Sequence, residues 1–206
     1  MPNTIITVAR SYGSGGRTIG KCLAEKTGID YYDRNLIYLA SDKSGMDVRL
    51  FSEHDETVKK GLFEKLKLFS SNIPPENRQF NSRENIFRYQ SKIIRELADK
   101  SDCVIIGRCA NHTLRDSGHK LVRVFIWAPH SECVQTVMKK FSISEAEADK
   151  MIHDINKHRK EYFKYYTGCD WQSAENYDLS INTSELSEEQ AVERIRLFAE
   201  IVKNGS

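Results

Sequence analysis

No two of the five cysteines form a C-x-x-C pair. Cys22, Cys103, Cys109, Cys133 and Cys169 are scattered along 206 residues. That argues against a disulfide framework and against a zinc site, and it predicts ordinary reduced thiols in a cytoplasmic protein. Net charge is scarce too: 31 Lys and Arg against 29 Asp and Glu leave +2. So small an excess gives no reason to expect nucleic acid or an anionic membrane as partner. No run approaches the ~18 apolar residues of a membrane span. The first residues run straight into a strand pattern, without the charged n-region and apolar stretch of a signal peptide. Internal repeats and low-complexity stretches are missing, and nothing in the chain specifies an oligomeric state.

What is present suits one α/β domain over residues 1–206. The chain is 39% apolar and 29% charged, enough for a core under a solvated surface. Ile5–Ala9 is nearly continuous and apolar, as in a strand buried on both faces. A helix is expected from about Gly16 to Thr27, closed by Gly28. Ile29–Tyr32 reads as a second strand, and Asp33 as the N-cap of a helix through Leu36, Ile37 and Ala40. Residues 43–80 are charged and helical in places, then break at Ser-Ser-Asn-Ile-Pro-Pro. An amphipathic helix follows from about Arg83. Cys103–Gly107 and Leu121–Ala128 read as buried strands, and a helix through Cys133, Val137 and Met138 follows the second of them. Ser144–Glu147 is a capping box opening a long basic-aromatic helix to about Tyr166. Tyr177–Asn182 reads as the last strand, and Ser187–Gln190 caps a closing helix. Strands alternating with helices imply a parallel sheet covered on both faces, with ligands beyond the C-terminal strand ends.

The chemistry concentrates between the first strand and the first helix, in Ala9-Arg-Ser-Tyr-Gly-Ser-Gly-Gly-Arg-Thr18. A glycine-rich turn there aims backbone N–H groups and a helix dipole at a phosphate. The sequence is almost a Walker A loop, but no lysine precedes the hydroxyl residue. Two registers are open. One sets Gly16-Arg17-Thr18 against Gly-Lys-Ser/Thr. The other sets Gly13-Ser14-Gly15 against the Gly-Ser-Gly of nucleotide kinases, which leaves Gly16 at the lysine and Arg17 at the hydroxyl. Downstream, Lys21–Asp33 matches the helix and second strand of small nucleotide kinases without a gap in the second register. In that register the lysine is absent, and Arg10 or Arg17 must supply the positive charge.

Residues 9–17, 31–34 (Tyr-Tyr-Asp-Arg), 104–110 (Val-Ile-Ile-Gly-Arg-Cys-Ala), 157–162, 165–168 and 177–184 together resemble the cytidylate kinase-like family of P-loop proteins, in order along nearly the whole chain. The resemblance implies an α/β, three-layer P-loop NTPase fold, with about five parallel strands and helices on both faces. It also implies a helical acceptor-binding insertion over 43–99 and a lid over 144–170. The implied activity is transfer of the ATP γ-phosphoryl to a nucleoside monophosphate, CMP by family analogy, with Mg²⁺ as the accompanying ion. The alternatives are a kinase of another small molecule and a nucleotide-binding regulatory protein that transfers nothing.

In this reading Gly13, Ser14, Gly15, Gly16, Arg17 and Thr18 hold the donor phosphates. Arg10, Arg17, Lys157 and Arg159 stabilise the charge that develops during transfer. Asp33, Arg108, Gln90 and Tyr162 form the acceptor side, although Asp33 serves equally well as a plain helix cap. Arg108 closes a strand, where its fork suits a phosphate. In cytidylate kinases a similar Gly-Arg-Asp contacts the nucleotide, whereas this chain has Cys109 in the aspartate's place. The third strand carries no aspartate after its apolar run. Mg²⁺ would rest on Thr18, Ser14, or ATP oxygens and water, so no protein metal site is expected.

Overall fold

The computed structural model describes residues 2–33, 36 and 83–205. Five strands form one sheet: β1 (Thr4–Arg10), β2 (Asp30–Tyr32), β3 (Cys103–Ile106), β4 (Lys120–Trp127) and β5 (Leu179–Asn182). Their spatial order is β2-β3-β1-β4-β5, and every pairing is parallel. β1 is central, which is why all seven of its residues are buried and why its sequence is apolar without a break. Ile5 pairs with Cys103 on one side and Leu121 on the other.

Successive side chains leave a strand on opposite faces, so the sheet has two cores. Ile6 and Val8 join Val104, Ile106, Val124 and Ile126 beneath α1 (Gly16–Thr27) and α6 (Glu188–Asn204). Ile5 joins Cys103 and Ile105 beneath α2 (Arg83–Lys100), which contributes Ile86, Ile93, Ile94 and Ala98. Fully buried side chains such as Ile5, Ile105 and Ile106 each contribute roughly 1.5–3 kcal/mol through burial. The result is the three-layer α/β arrangement expected from the sequence.

A short helix α3 (Ala110–Thr113) follows β3, then α4 (His130–Phe141) and the 23-residue α5 (Glu145–Thr167). α5 opens on the expected Ser144–Glu147 capping box and α6 on Ser187–Gln190, each with both reciprocal bonds formed. Gly28 ends α1 in the left-handed conformation, again as expected.

Strand boundaries differ from the sequence reading by a residue or two, and two of the shifts have a visible cause. β4 starts at Lys120, one residue early, because Lys120 N–H donates to the Asn3 carbonyl. β5 starts at Leu179 rather than Tyr177. Tyr177 belongs to the preceding corner, where its hydroxyl donates to the Trp171 carbonyl at 2.6 Å. Asp178 accepts from both the backbone N–H and the Nε of Arg123, at 2.8 and 3.0 Å. Its role is thus structural. The four-residue α3 was not anticipated, because it is too short to show a hydrophobic period.

Residues 43–80 and most of the helix expected after Asp33 lie outside the described residues, although Leu36 is described and buried. The described part of the segment expected as an acceptor-binding insertion is α2, which packs on the sheet through the second core.

Candidate active site

The loop between β1 and α1 is held from three sides. Ser11 N–H donates to the Ile126 carbonyl at 3.0 Å, and Tyr12 N–H donates to Asn156 Oδ1 of α5 at 2.8 Å. Thr183, just past β5, donates its hydroxyl to the Ser14 carbonyl at 3.0 Å. Gly13 sits at φ 89° against Cys133 of α4, where an added Cβ would lie 2.8 Å from the Cys133 Cβ. No other residue fits there without moving α4. Gly15, also left-handed, is the N-cap of α1, and no side chain caps that helix. Its first turn has no acidic residue either. The leading N–H groups of α1 therefore lack an intrahelical acceptor and face outward with the positive end of the dipole, an arrangement suited to an anion.

The side chains of this loop divide into two groups. The Ser14 hydroxyl is buried, within hydrogen-bonding reach of the Ser11 and Ile126 carbonyls at 2.9 and 3.1 Å. In this conformation its single proton is committed to those two carbonyls. Thr18 is exposed. Among the described residues, no group of three His, Cys, Asp or Glu could hold a metal ion. With no such cluster among the described residues, a Mg²⁺ here would rest on ATP oxygens, water and the exposed Thr18.

Arg17, in the first turn of α1, turns toward β2 and places Nε 2.5 Å from Asp33 Oδ2. Asp33 is 5% exposed, whereas the Arg17 side chain is half-exposed. Partial burial works against the charged Arg17, but Asp33 and Tyr31 together more than offset it and the guanidinium pKa rises above its ordinary value. Tyr31 lies alongside, and its hydroxyl is 3.5 Å from the Arg17 carbonyl. Burial first, then the Asp33 charge, pushes its phenol pKa upward.

Arg10 and Arg108 stand at the C-terminal ends of β1 and β3, and Arg159 of α5 packs against the first of them. Arg10 ends β1 and is 6% exposed. Arg108 follows β3 and is 1% exposed. It lies in a run of three left-handed residues, Gly107, Arg108 and Cys109, at φ 71°, 59° and 54°. Two non-glycine residues in that region are a local strain, of a kind that collects at functional sites. Arg159 of α5 donates from Nη1 to the Arg10 carbonyl at 2.9 Å, and its guanidinium carbon stands 5.7 Å from the centre of the Tyr12 ring. Arg10, Gly107, Cys109, Asn111, Arg159 and Tyr162 all line a small cavity over the ends of β1 and β3.

Tyr162 connects this cavity to α2. Its hydroxyl donates to Gln90 Oε1 at 3.0 Å, with both residues buried. Among the described residues, Gln90 Nε2 is buried with no hydrogen-bond partner. Around this pair Phe87 stacks on Tyr166 at 4.1 Å.

Lys157 does not join the group. It is exposed, two residues from the buried Arg159 on the same helix, and positions two apart do not share a helix face. Asn156 and Thr183 hold the loop without having been singled out as loop contacts. For Asn156 the available signal was its place three residues before Arg159, on the same helical face.

Residues 5–185 match the Cytidylate kinase-like family. The chain belongs to that family. Among curated relatives it is 29% identical over 188 residues to a cytidylate kinase of Pyrococcus horikoshii, covering 90% of this chain and 82% of that one. It is 26% identical over 196 residues to a cytidylate kinase of Methanopyrus kandleri, covering 91% and 89%. Among solved structures, an uncharacterized protein from Eubacterium ventriosum superposes with a TM-score of 0.72 at 24% identity, covering 96% of this chain and 99% of that chain. A shikimate kinase from Bacteroides thetaiotaomicron follows the same fold with a TM-score of 0.53 at 15% identity, covering 96% and 98%. Family and fold together support a phosphotransferase acting on a small molecule. Among the described residues, no helix is long and apolar enough to cross a membrane.

Proposed function

We propose that the protein transfers the γ-phosphoryl group of ATP to a nucleoside monophosphate, with CMP as the acceptor. The observation that carries this reading is the convergence of the uncapped N-terminus of α1 with Arg10, Arg108 and Arg159 at the C-terminal ends of β1 and β3. Phosphoryl transfer needs little covalent chemistry from a protein; it needs the two nucleotides in line and charge placed around the moving group. The backbone of Gly13–Thr18 holds the donor phosphates, and Mg²⁺ enters bound to them. Arg108, Asp33, Gln90 and Tyr162 form the acceptor side. Arg108 is covered in this conformation, so binding there requires the cover to shift. Arg159, pinned to the Arg10 carbonyl, carries α5 over the donor site as a lid.

A coupled assay of purified protein with ATP, Mg²⁺ and a panel of nucleoside monophosphates tests the reading. ADP release that is fastest with CMP supports it; no release above background with any monophosphate removes it. Cys109 favours a second reading, in which the acceptor is another small molecule. It is buried, left-handed and without a carboxylate, in the place where a cytidylate kinase has aspartate. The same assay with sugars and small hydroxy acids separates the two.

A further inference from the structure

The ordinary phosphate loop, G-x-x-x-x-G-K-[ST], carries a small residue at its first position and a lysine at its seventh. In the register held by Gly13-Ser14-Gly15, those positions are 10 and 16. This chain has the reverse, Arg10 and Gly16. The structure gives the reversal a steric meaning. A Cβ added to Gly16 would lie 2.6 Å from the Arg10 Cβ, 3.2 Å from its Cγ and 3.2 Å from the Ile126 Cβ. The two positions share a single channel, and only one of them can send a side chain through it. A stem starting at Arg10 therefore begins almost where a stem from residue 16 would begin.

We infer that Arg10 supplies the phosphate-facing cation that a lysine supplies in the ordinary loop, delivered from the end of β1 rather than from the first turn of α1, and that Gly16 is the gap its stem requires. This rests on the proposed role of the loop in holding donor phosphates. Three observations favour Arg10 over Arg17. Arg10 is buried beside the loop, its backbone is clamped by Arg159 and it lines the cavity, whereas Arg17 is half-exposed and turned to Asp33. A guanidinium can grip two phosphate oxygens at once, which an ammonium does not.

The test compares wild type with R10G, G16K, R10G/G16K and R17A, reading the thermal midpoint and ATP affinity by calorimetry. The inference expects G16K alone to lower the midpoint, because its stem meets that of Arg10. R10G/G16K regains the midpoint and binds ATP, since the cation is restored from the other side. R10G alone binds ATP about tenfold or more weakly, the size of a lost charged hydrogen bond, and loses more than R17A does. R10G binding ATP as tightly as wild type overturns the inference while leaving the proposed function intact. So does G16K remaining as damaging in the R10G background as alone. Wild-type protein that binds no ATP overturns both.

Discussion

The Nε of Arg17 stands 2.5 Å from Asp33 Oδ2, which ties the first turn of α1 to the residue that follows β2. The pair is asymmetric, with Asp33 buried and Arg17 reaching water. Removing the arginine withdraws a counter-charge from a buried group and should cost about 1–2 kcal/mol of stability. D33N returns a half-exposed arginine to solvent and should cost less than about 1 kcal/mol. Urea unfolding of R17A and D33N checks the order. The proposed function adds opposite effects on the two nucleotides. With Asp33 neutralised, Arg17 is released toward donor phosphates, so D33N should bind ATP roughly three- to tenfold more tightly, the range of a surface ion pair. CMP should bind more weakly. Calorimetry with each nucleotide reads both signs, and parallel weakening of both would count against this division of roles.

The Tyr162–Gln90 bond predicts a different pattern. Y162F leaves the Gln90 amide buried with its oxygen unserved, at about 1–3 kcal/mol. Q90L removes the acceptor of the Tyr162 hydroxyl at a similar cost. The double variant Y162F/Q90L removes both ends of the bond at once and should lose clearly less than the sum. Additive losses in urea unfolding would mean that the bond does not couple α2 to α5.

The sheet, the strand order of burial and both capping boxes were legible in the sequence because each depends on local pattern. A strand buried on two faces is apolar throughout, and a capping box requires two residue types three apart. The site was legible only as an inventory. Arg159 and Lys157 look alike in a basic stretch, and only the helix phase puts one against Arg10 and the other in water. Ser14 carries a hydroxyl that the sequence offers to a metal, and the turn instead spends it on two carbonyls. Gly16 reads as a missing lysine until its distance from the Arg10 side chain shows why a side chain cannot stand there.

That inward turn of Ser14 makes a prediction about metal dependence. S14A removes a hydroxyl shared between the Ser11 and Ile126 carbonyls, so stability should fall by about 1 kcal/mol. The Mg²⁺ concentration giving half-maximal ATP binding should stay as in wild type, because the hydroxyl is turned to those two carbonyls. A Mg²⁺ titration of ATP binding in the two proteins decides it, and a right-shifted curve for S14A would return the serine to the metal.

Acid should weaken the fold through Glu193, where α6 meets α1. Its carboxylate accepts from Arg196 within α6 and from Lys26 Nζ of α1 at 2.9 Å. Arg196 first, then Lys26, hold its pKa at about 2 in place of the ordinary 4.5. A carboxylate whose pKa is lower when folded stabilises the fold fully above its unfolded value and loses that contribution as pH falls toward the folded one. The thermal midpoint of wild type should therefore exceed that of E193Q above pH 4.5, and the gap should narrow as pH falls toward about 2. Because the group lies at the surface, added salt should shrink the gap at neutral pH as well. Midpoints measured for both proteins across that pH range, at low and high salt, check the sign. A gap that widens toward acid would show that Glu193 gains nothing from its two cations.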